Sequence, residues 1–233
     1  MASSWVFFDV GDVLFNENAQ HTVYFHTLLL AMRRNGVQVE WDDYSKKIID
    51  CVRVKPATAI VDAARLFVPD DEVWNRIYHD GRAIYDATRK PRPYGTLLDG
   101  ITPVLQALRE RFHLGIIANQ HAEVLEAIEE YGIGPLFEVK IIDTLVGVSK
   151  PDAAIFHLAL AQAGCDSSEA IMVGDRPDND ITPAKAMGLR TVRFQRGILY
   201  NHYEPDEDKT AEHADVVVTD VSGLQEAIER AAI

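Results

Sequence analysis

Four apolar runs in this chain end in residues able to do chemistry. Trp5-Val-Phe-Phe8 is followed by Asp9-Val-Gly-Asp12, and Leu114-Gly-Ile-Ile117 by Ala118-Asn119-Gln120. After Val139-Lys-Ile-Ile142 comes a loop carrying Ser149-Lys150-Pro-Asp152, and after Ala170-Ile-Met-Val173 comes Gly174-Asp175-Arg-Pro-Asp-Asn-Asp180. Asp9 and Asp175 are hard oxygen donors of the kind that suit Mg²⁺, which binds through one or two carboxylates and keeps waters and substrate phosphate around it. A carboxylate can also attack phosphorus and form an aspartyl-phosphate. Two anions must then meet, so a metal together with Lys150 is needed to neutralise the transferring group. Gly11 allows a tight turn, and backbone amides in such a loop can face an anion. One Asp after a strand is only turn chemistry; four such endings in one chain ask for a scaffold that gathers them.

That scaffold is legible in the periodicity. Residues 5–8 form a short continuous apolar run closed by a turn signal, the mark of a buried parallel strand. The stretch that follows has a helical texture over residues 21–34, 42–52, 58–67 and 71–88, with breaks at Asn35-Gly36, Pro56 and Pro69 and no convincing strand. From Pro93 on, strands alternate with helices. Strands are expected at 114–118, 139–142, 170–174, 191–194 and 216–218, with helices at 101–111, 122–131, 152–163, 181–187 and 222–231. Alternation of this kind implies one doubly wound parallel sheet in an α/β fold. Residues 1–15 and 93–233 are expected to make the sheet domain, and residues 16–92 a small helical cap inserted after the first strand. In open parallel sheets ligands bind beyond the carboxyl ends of the strands, where the four endings lie.

The segments VFFDVGDVLFNE, LGIIANQ, GVSKPDAAIF and MVGDRPDNDI resemble, in order, the four motifs of the haloacid dehalogenase-like hydrolase superfamily. The resemblance covers the whole sheet domain, and the helical insert sits where that superfamily places its cap. It implies that Asp9 is the nucleophile, and that Asp9, the Gly11 backbone carbonyl and Asp175 hold Mg²⁺. It also implies that Lys150 steadies the nucleophile and the phosphoryl group, that Asn119 lies beside the phosphate, and that Asp180 supports the water shell of the metal. The expected activity is Mg²⁺-dependent hydrolysis of a small phosphorylated metabolite through an aspartyl-phosphate. Two positions depart from the pattern. Gly11 stands where the superfamily carries a second Asp, a general acid/base, and Ala118 stands where it carries a Ser or Thr hydroxyl. Losing a positioned acid typically costs about 10²–10⁴-fold, which an ester with a good leaving group feels less. Asp12 lies one residue late, where strand alternation would aim it elsewhere, which leaves it open between a helix or turn contact and an unusual catalytic role. Two other readings fit parts of the pattern: a 2-haloacid dehalogenase, in which the same Asp attacks carbon without a metal, and a catalytically silent binding protein. Retention of Asp175 and Asp180 speaks against the first, and intact Asp9, Lys150 and Asp175 against the second.

Composition sets the outer limits. The chain has 233 residues, 47% hydrophobic and 25% charged, with a formal net charge of -13. That balance argues against nucleic-acid binding, which relies on clustered Lys and Arg. It leaves phosphate binding open, because charges beyond about 8 Å are screened at physiological salt. No apolar run approaches the roughly 20 residues that span a bilayer. The opening residues carry no basic leader, so a cytoplasmic location is expected. Cys51 and Cys165 read as reduced structural thiols. In the insert, Asn16, His21, Tyr24, His26 and Arg53 are candidates to reach substrate, although a structural or solvent-facing role is the simpler one for the two histidines. Tyr78 and Tyr85, at helical spacing, are expected in the core of the insert. Arg176 is as readily an exposed arginine as a substrate contact. Asp70-Asp71-Glu72 reads as a charged helix start, and residues 204–208 as a solvated acidic loop.

Overall fold

Trp5–Phe8 (β1) is buried at every position, as a strand covered on both faces must be. The structure is a computed structural model and describes residues 4–54, 58–88, 95–203 and 213–233. Around β1 lie His113–Ala118 (β4), Val139–Ile142 (β5), Ala170–Gly174 (β6), Arg190–Phe194 (β7) and Val216–Val218 (β8). They form one six-stranded sheet in the order β5-β4-β1-β6-β7-β8, and every pairing is parallel. β1 is thus the switch point: β4 and β5 extend the sheet to one side, β6 to β8 to the other. The crevice beyond its carboxyl end is where such sheets bind ligands.

Helices cover both faces, which makes the sheet doubly wound. Trp5, Phe7, Ile117, Val139 and Met172 share a core with Ile155, Phe156 and Ala159 of Ala153–Ala163 (α8). The alternate residues Val6 and Phe8 point to the opposite face, where Ile101–Arg109 (α5) and Leu224–Ala231 (α10) meet each other and the sheet. Asp152 caps α8 by accepting from the Ala154 amide at 2.9 Å, and Gly164, at φ 66°, ends it in the left-handed conformation that glycine adopts without strain. Among the described residues no helix is long and apolar enough to cross a membrane.

The chain divides into two compact units: Met1–Asn16, Thr96–Arg196 and Pro205–Ile233 on one side, Glu17–Gly95 and Gly197–Glu204 on the other. The second unit consists of Asn18–Arg34 (α1), Trp41–Val54 (α2), Ala59–Arg65 (α3) and Asp71–Thr88 (α4), with a core of its own that includes Phe25, Leu28, Met32, Tyr44, Ile60 and Ile77. Leu199, Tyr200 and Tyr203 also belong to that core, although the sequence pattern had placed them with the sheet. Tyr85 is half-buried and meets Tyr24 edge to face at 5.2 Å, and Tyr78 lies at the surface, 37% exposed, so neither of the two tyrosines expected in the core belongs to it. Asp70 accepts from the Val73 amide at 2.9 Å, as expected of a charged helix start.

Several elements differ from the sequence pattern. Phe15–Asn16 (β2) and Thr96–Leu97 (β3) form a two-residue antiparallel ladder, a strand pair too short to leave a periodic signal. Asp143–Val146 (α7) is a single helical turn directly after β5. The helix expected over 181–187 is Thr182–Ala186 (α9), entered through a wide π turn over Pro177–Ile181 in which the Ile181 amide donates to the Arg176 carbonyl at 3.3 Å. Pro56 and the acidic loop at 204–208 lie outside the described residues.

Candidate active site

The carboxyl ends of β1, β4 and β6 bring the expected residues together. The Asp9 amide donates to the Val173 carbonyl at 2.9 Å, extending the β1–β6 ladder one residue and fixing where the Asp9 side chain leaves the backbone. The chain then reverses around Val10, whose carbonyl accepts from the Leu14 and Phe15 amides at 2.9 and 3.0 Å. Gly11 sits in that reversal, and Asp12 follows with φ 51°, a conformation that costs a non-glycine residue about 1–2 kcal/mol.

The Lys150 ammonium lies at the centre. It donates to Asp9 Oδ1 and to Asp180 Oδ1, both at 2.6 Å, with its side chain 1% exposed. Burial alone would lower its pKa, but the Asp180 and Asp9 carboxylates outweigh burial and the net shift is upward, so Lys150 is firmly charged. Asp175 is buried beside them. One carboxylate oxygen from each of Asp9, Asp175 and Asp180 lies within 4.8 Å of the others. Desolvation, then the Asp180, Asp9 and Asp12 charges, push the Asp175 carboxyl well above its ordinary range, and Arg176 offsets only part of this. Asp180 is pushed up to about 6 by burial, with Lys150 pulling the other way and Asp9 adding to the rise. Its second oxygen accepts from the Arg176 amide at 3.1 Å.

Asp12 corrects the sequence expectation. Strand alternation does not reach it, because β1 ends at Phe8 and the loop turns it inward. It is 2% exposed, and its charge acts on Asp175. Asn119, expected beside a phosphate, has each polar atom of its amide on the Lys150 backbone. Its Oδ1 accepts from the Lys150 amide and its Nδ2 donates to the Lys150 carbonyl, both at 2.8 Å. Ala118, buried at the end of β4, brings no hydroxyl. Arg176 pairs with Asp178 at 3.0 Å. In the helical unit, the His26 ring stacks on Trp41 at 4.5 Å and bonds the Thr22 carbonyl through Nδ1 at 2.8 Å, a structural arrangement. Burial raises the Tyr24 hydroxyl to about 12. Burial likewise raises both thiols, Cys165 to about 11, which suits unreactive structural cysteines.

Sequence reasoning missed the residues that hold this centre. A Cβ placed on Gly174 would fall 2.3 Å from Asp180 Cβ, so only glycine lets Asp180 fold back over the end of β6. The available signal was a glycine closing an otherwise buried strand, which marks close backbone approach. Asp143 Oδ1 accepts from the Gln120 and Thr144 amides at 2.8 Å, and its Oδ2 from Ser149 Oγ at 2.9 Å.

A buried, oxygen-rich centre of this kind lies at the switch point of the parallel sheet, where such sheets bind ligands. Residues 4–188 match the haloacid dehalogenase-like hydrolases, and the chain belongs to that family. Over 97% of this chain and 92% of its own length, the glyceraldehyde 3-phosphate phosphatase of Pyrococcus furiosus is 28% identical. The protein of the same name from Pyrococcus abyssi is 30% identical over 82% of this chain and 81% of its own. A haloacid dehalogenase-like protein of Agrobacterium tumefaciens has a fold that superposes with a TM-score of 0.70 at 18% identity, over 99% of this chain and 100% of that one.

Proposed function

We propose that this protein is a Mg²⁺-dependent phosphatase of small phosphorylated metabolites, with Asp9 as nucleophile. The observation that carries the reading is a charge deficit. Lys150 is the cation bonded to a centre holding Asp9, Asp175 and Asp180, and Asp175 Oδ1 is buried with no hydrogen-bond partner among the described residues. A buried oxygen of that kind is costly unless something positive meets it. The donor set, all hard oxygen, fits a divalent cation of the Mg²⁺ type. Asp9, Asp175 and the Gly11 carbonyl would hold it, and Asp180, whose two oxygens serve Lys150 and the Arg176 amide, would order its surroundings. When bound, the metal would supply positive charge against the phosphoryl oxygens.

The chemistry of the chain's own residues follows. Lys150 engages Oδ1 of Asp9, leaving Oδ2 to attack phosphorus. As the P–O(Asp9) bond forms, the ester P–O bond breaks and the leaving oxygen takes up a proton from solvent water, which the attacking water of the next step gives back. Water then attacks the phosphorus of the aspartyl-phosphate, releasing inorganic phosphate and regenerating the Asp9 carboxylate. Lys150 balances the negative charge in both steps, and Asn119 closes the strand end beside it. The phosphatase names of the two Pyrococcus relatives support this substrate class. The departure at Gly11 favours esters with good leaving groups, because no carboxylic acid stands at that position to protonate a poor one.

Phosphate release from an aryl phosphate, measured with Mg²⁺ and with chelator, tests the proposal. Turnover is expected only with metal, and Asp9→Asn is expected to reduce it by at least about 10³-fold, as for loss of a covalent nucleophile. Halide release from a 2-haloacid without metal, or metal binding with no turnover across a panel of phosphate esters, would overturn it.

A further inference from the structure

The loop bearing Lys150 has no regular structure to hold it, yet its ammonium is set at 2.6 Å from two carboxylates. We infer that Asn119 is a positioning residue that acts through Lys150, and that with Asp143 it forms a two-point clamp fixing the Lys150 loop to the end of β4. The inference rests on the reading of Lys150 as the cation that neutralises the transferring phosphoryl group.

Two observations carry it. The first is reciprocity. Asn119 accepts from the Lys150 amide and donates to the Lys150 carbonyl, each at 2.8 Å, so one side chain grips both backbone polar groups of one residue. Such a pair fixes the backbone in position and rotation, and with it the Cα–Cβ direction of Lys150. The identity of the amide ends is set by the same pattern, because only Oδ1 can accept an N–H and only Nδ2 can donate to a carbonyl. The second is the Asp143 knot. Its carboxylate takes the Gln120 amide, one residue beyond Asn119, and the Ser149 hydroxyl, one residue before Lys150. Thr144 Oγ1 donates to the Gln120 carbonyl at 2.8 Å, closing the same knot. The ends of β4 and β5 and the Lys150 loop are therefore tied at adjacent residues. A four-carbon lysine stem is otherwise flexible and loses its rotamer freedom at a cost. A fixed root is what lets the ammonium meet Asp9 and Asp180 at once.

A residue that touches substrate and one that acts through Lys150 differ in a double-mutant cycle. With Mg²⁺ and an aryl phosphate of good leaving group, assayed at high enzyme concentration, Asn119→Ala is expected to lower kcat by about tenfold or more, with KM and the inhibition constant of inorganic phosphate changed less than about twofold. Introduced into Lys150→Ala, the same substitution is expected to cost less than about twofold further, because the ammonium whose backbone root it fixes is gone. Multiplicative losses in the double variant, a parallel rise of KM and the phosphate constant, or an unchanged kcat in Asn119→Ala would each overturn the inference. Should Asn119→Ala fail to fold, Ser149→Ala decides: this residue is exposed, and removing its bond to Asp143 is expected to lower kcat about threefold at constant KM, whereas wild-type kcat refutes the clamp. Full activity in Lys150→Ala would instead sink the reading of Lys150 itself, so the two failures are distinguishable.

Discussion

Gly174 sets the limit on what the centre tolerates. Its hydrogen atom leaves the space that Asp180 Cβ occupies, and a methyl group there would lie 2.3 Å from that carbon, a backbone-near atom that no rotamer change removes. Gly174→Ala is therefore expected to displace the Asp180 carboxylate from Lys150 and to cut kcat by about 10²-fold, the scale of an ångström-sized misplacement. Steady-state phosphate release checks this, and a kcat within threefold of wild type would contradict it. Asp9, Lys150 and Asp175 could be located from sequence because each follows a strand signal, and the sheet rule brings strand ends together. Gly174, Asp143 and Ser149 could not, because their importance lies in how irregular loops fold back: Gly174 meets Asp180 and Ser149 meets Asp143, each pair six residues apart, and Asp143 also reaches the Gln120 amide. Asp12 was misdirected for a related reason: strand alternation was carried past the point where β1 stops.

At the scale of elements, the sheet was legible because buried parallel strands write continuous apolar runs, and β1, β5, β6 and β8 begin and end where those runs do. The β2–β3 ladder and the π turn before α9 were not, since two residues carry no period and a π turn differs from an α-helix only in which carbonyl an amide reaches. The α1–α4 pair shows how one small residue sets helix spacing. A Cβ on Gly81, in the middle of α4, would lie 2.8 Å from Leu28 Cδ2 of α1 and 3.6 Å from Leu28 Cα. A glycine there costs helix propensity, about 1 kcal/mol relative to alanine, and allows close approach in return. Gly81→Leu is expected to lower stability by about 1–3 kcal/mol through overpacking, read as a lower midpoint in chemical denaturation. A stability equal to wild type would show that the two helices can separate without loss.

For the molecule as a whole, the buried acids couple folding to pH and, on the proposed reading, to metal. Burial pushes the Asp180 carboxyl up from an ordinary 3.8 to about 6, and burial with the neighbouring carboxylates also raises Asp175 well above the same starting value. Both carboxyls hold a proton more tightly folded than unfolded. Their stabilising contribution is therefore complete below pH 3.8 and is lost as pH rises through the folded-state values, about 6 for Asp180 and likewise raised for Asp175. In chelator, thermal unfolding of the wild type is expected at a higher temperature near pH 5 than near pH 7, as far as these groups govern it. On the proposed reading Mg²⁺ would compete with those protons, so it is expected to raise Tm more at pH 7 than at pH 5. Asp175→Asn should lose most of the Mg²⁺ increment and flatten the pH slope. Equal increments at both pH values would remove the acidic cluster as the site of binding.

The helical unit is assembled from two separate stretches, because Leu199, Tyr200 and Tyr203 lie in its core. β2 and β3, paired through Asn16 and Thr96, suggest an obvious cut: delete residues 17–95 and rejoin the strands as a hairpin. Such a truncation would strip those three side chains of their partners and leave an oily tag in the loop after β7. A minimal sheet unit therefore requires replacing residues 197–204 as well, and exchanging the helical unit for that of a relative means moving both stretches together.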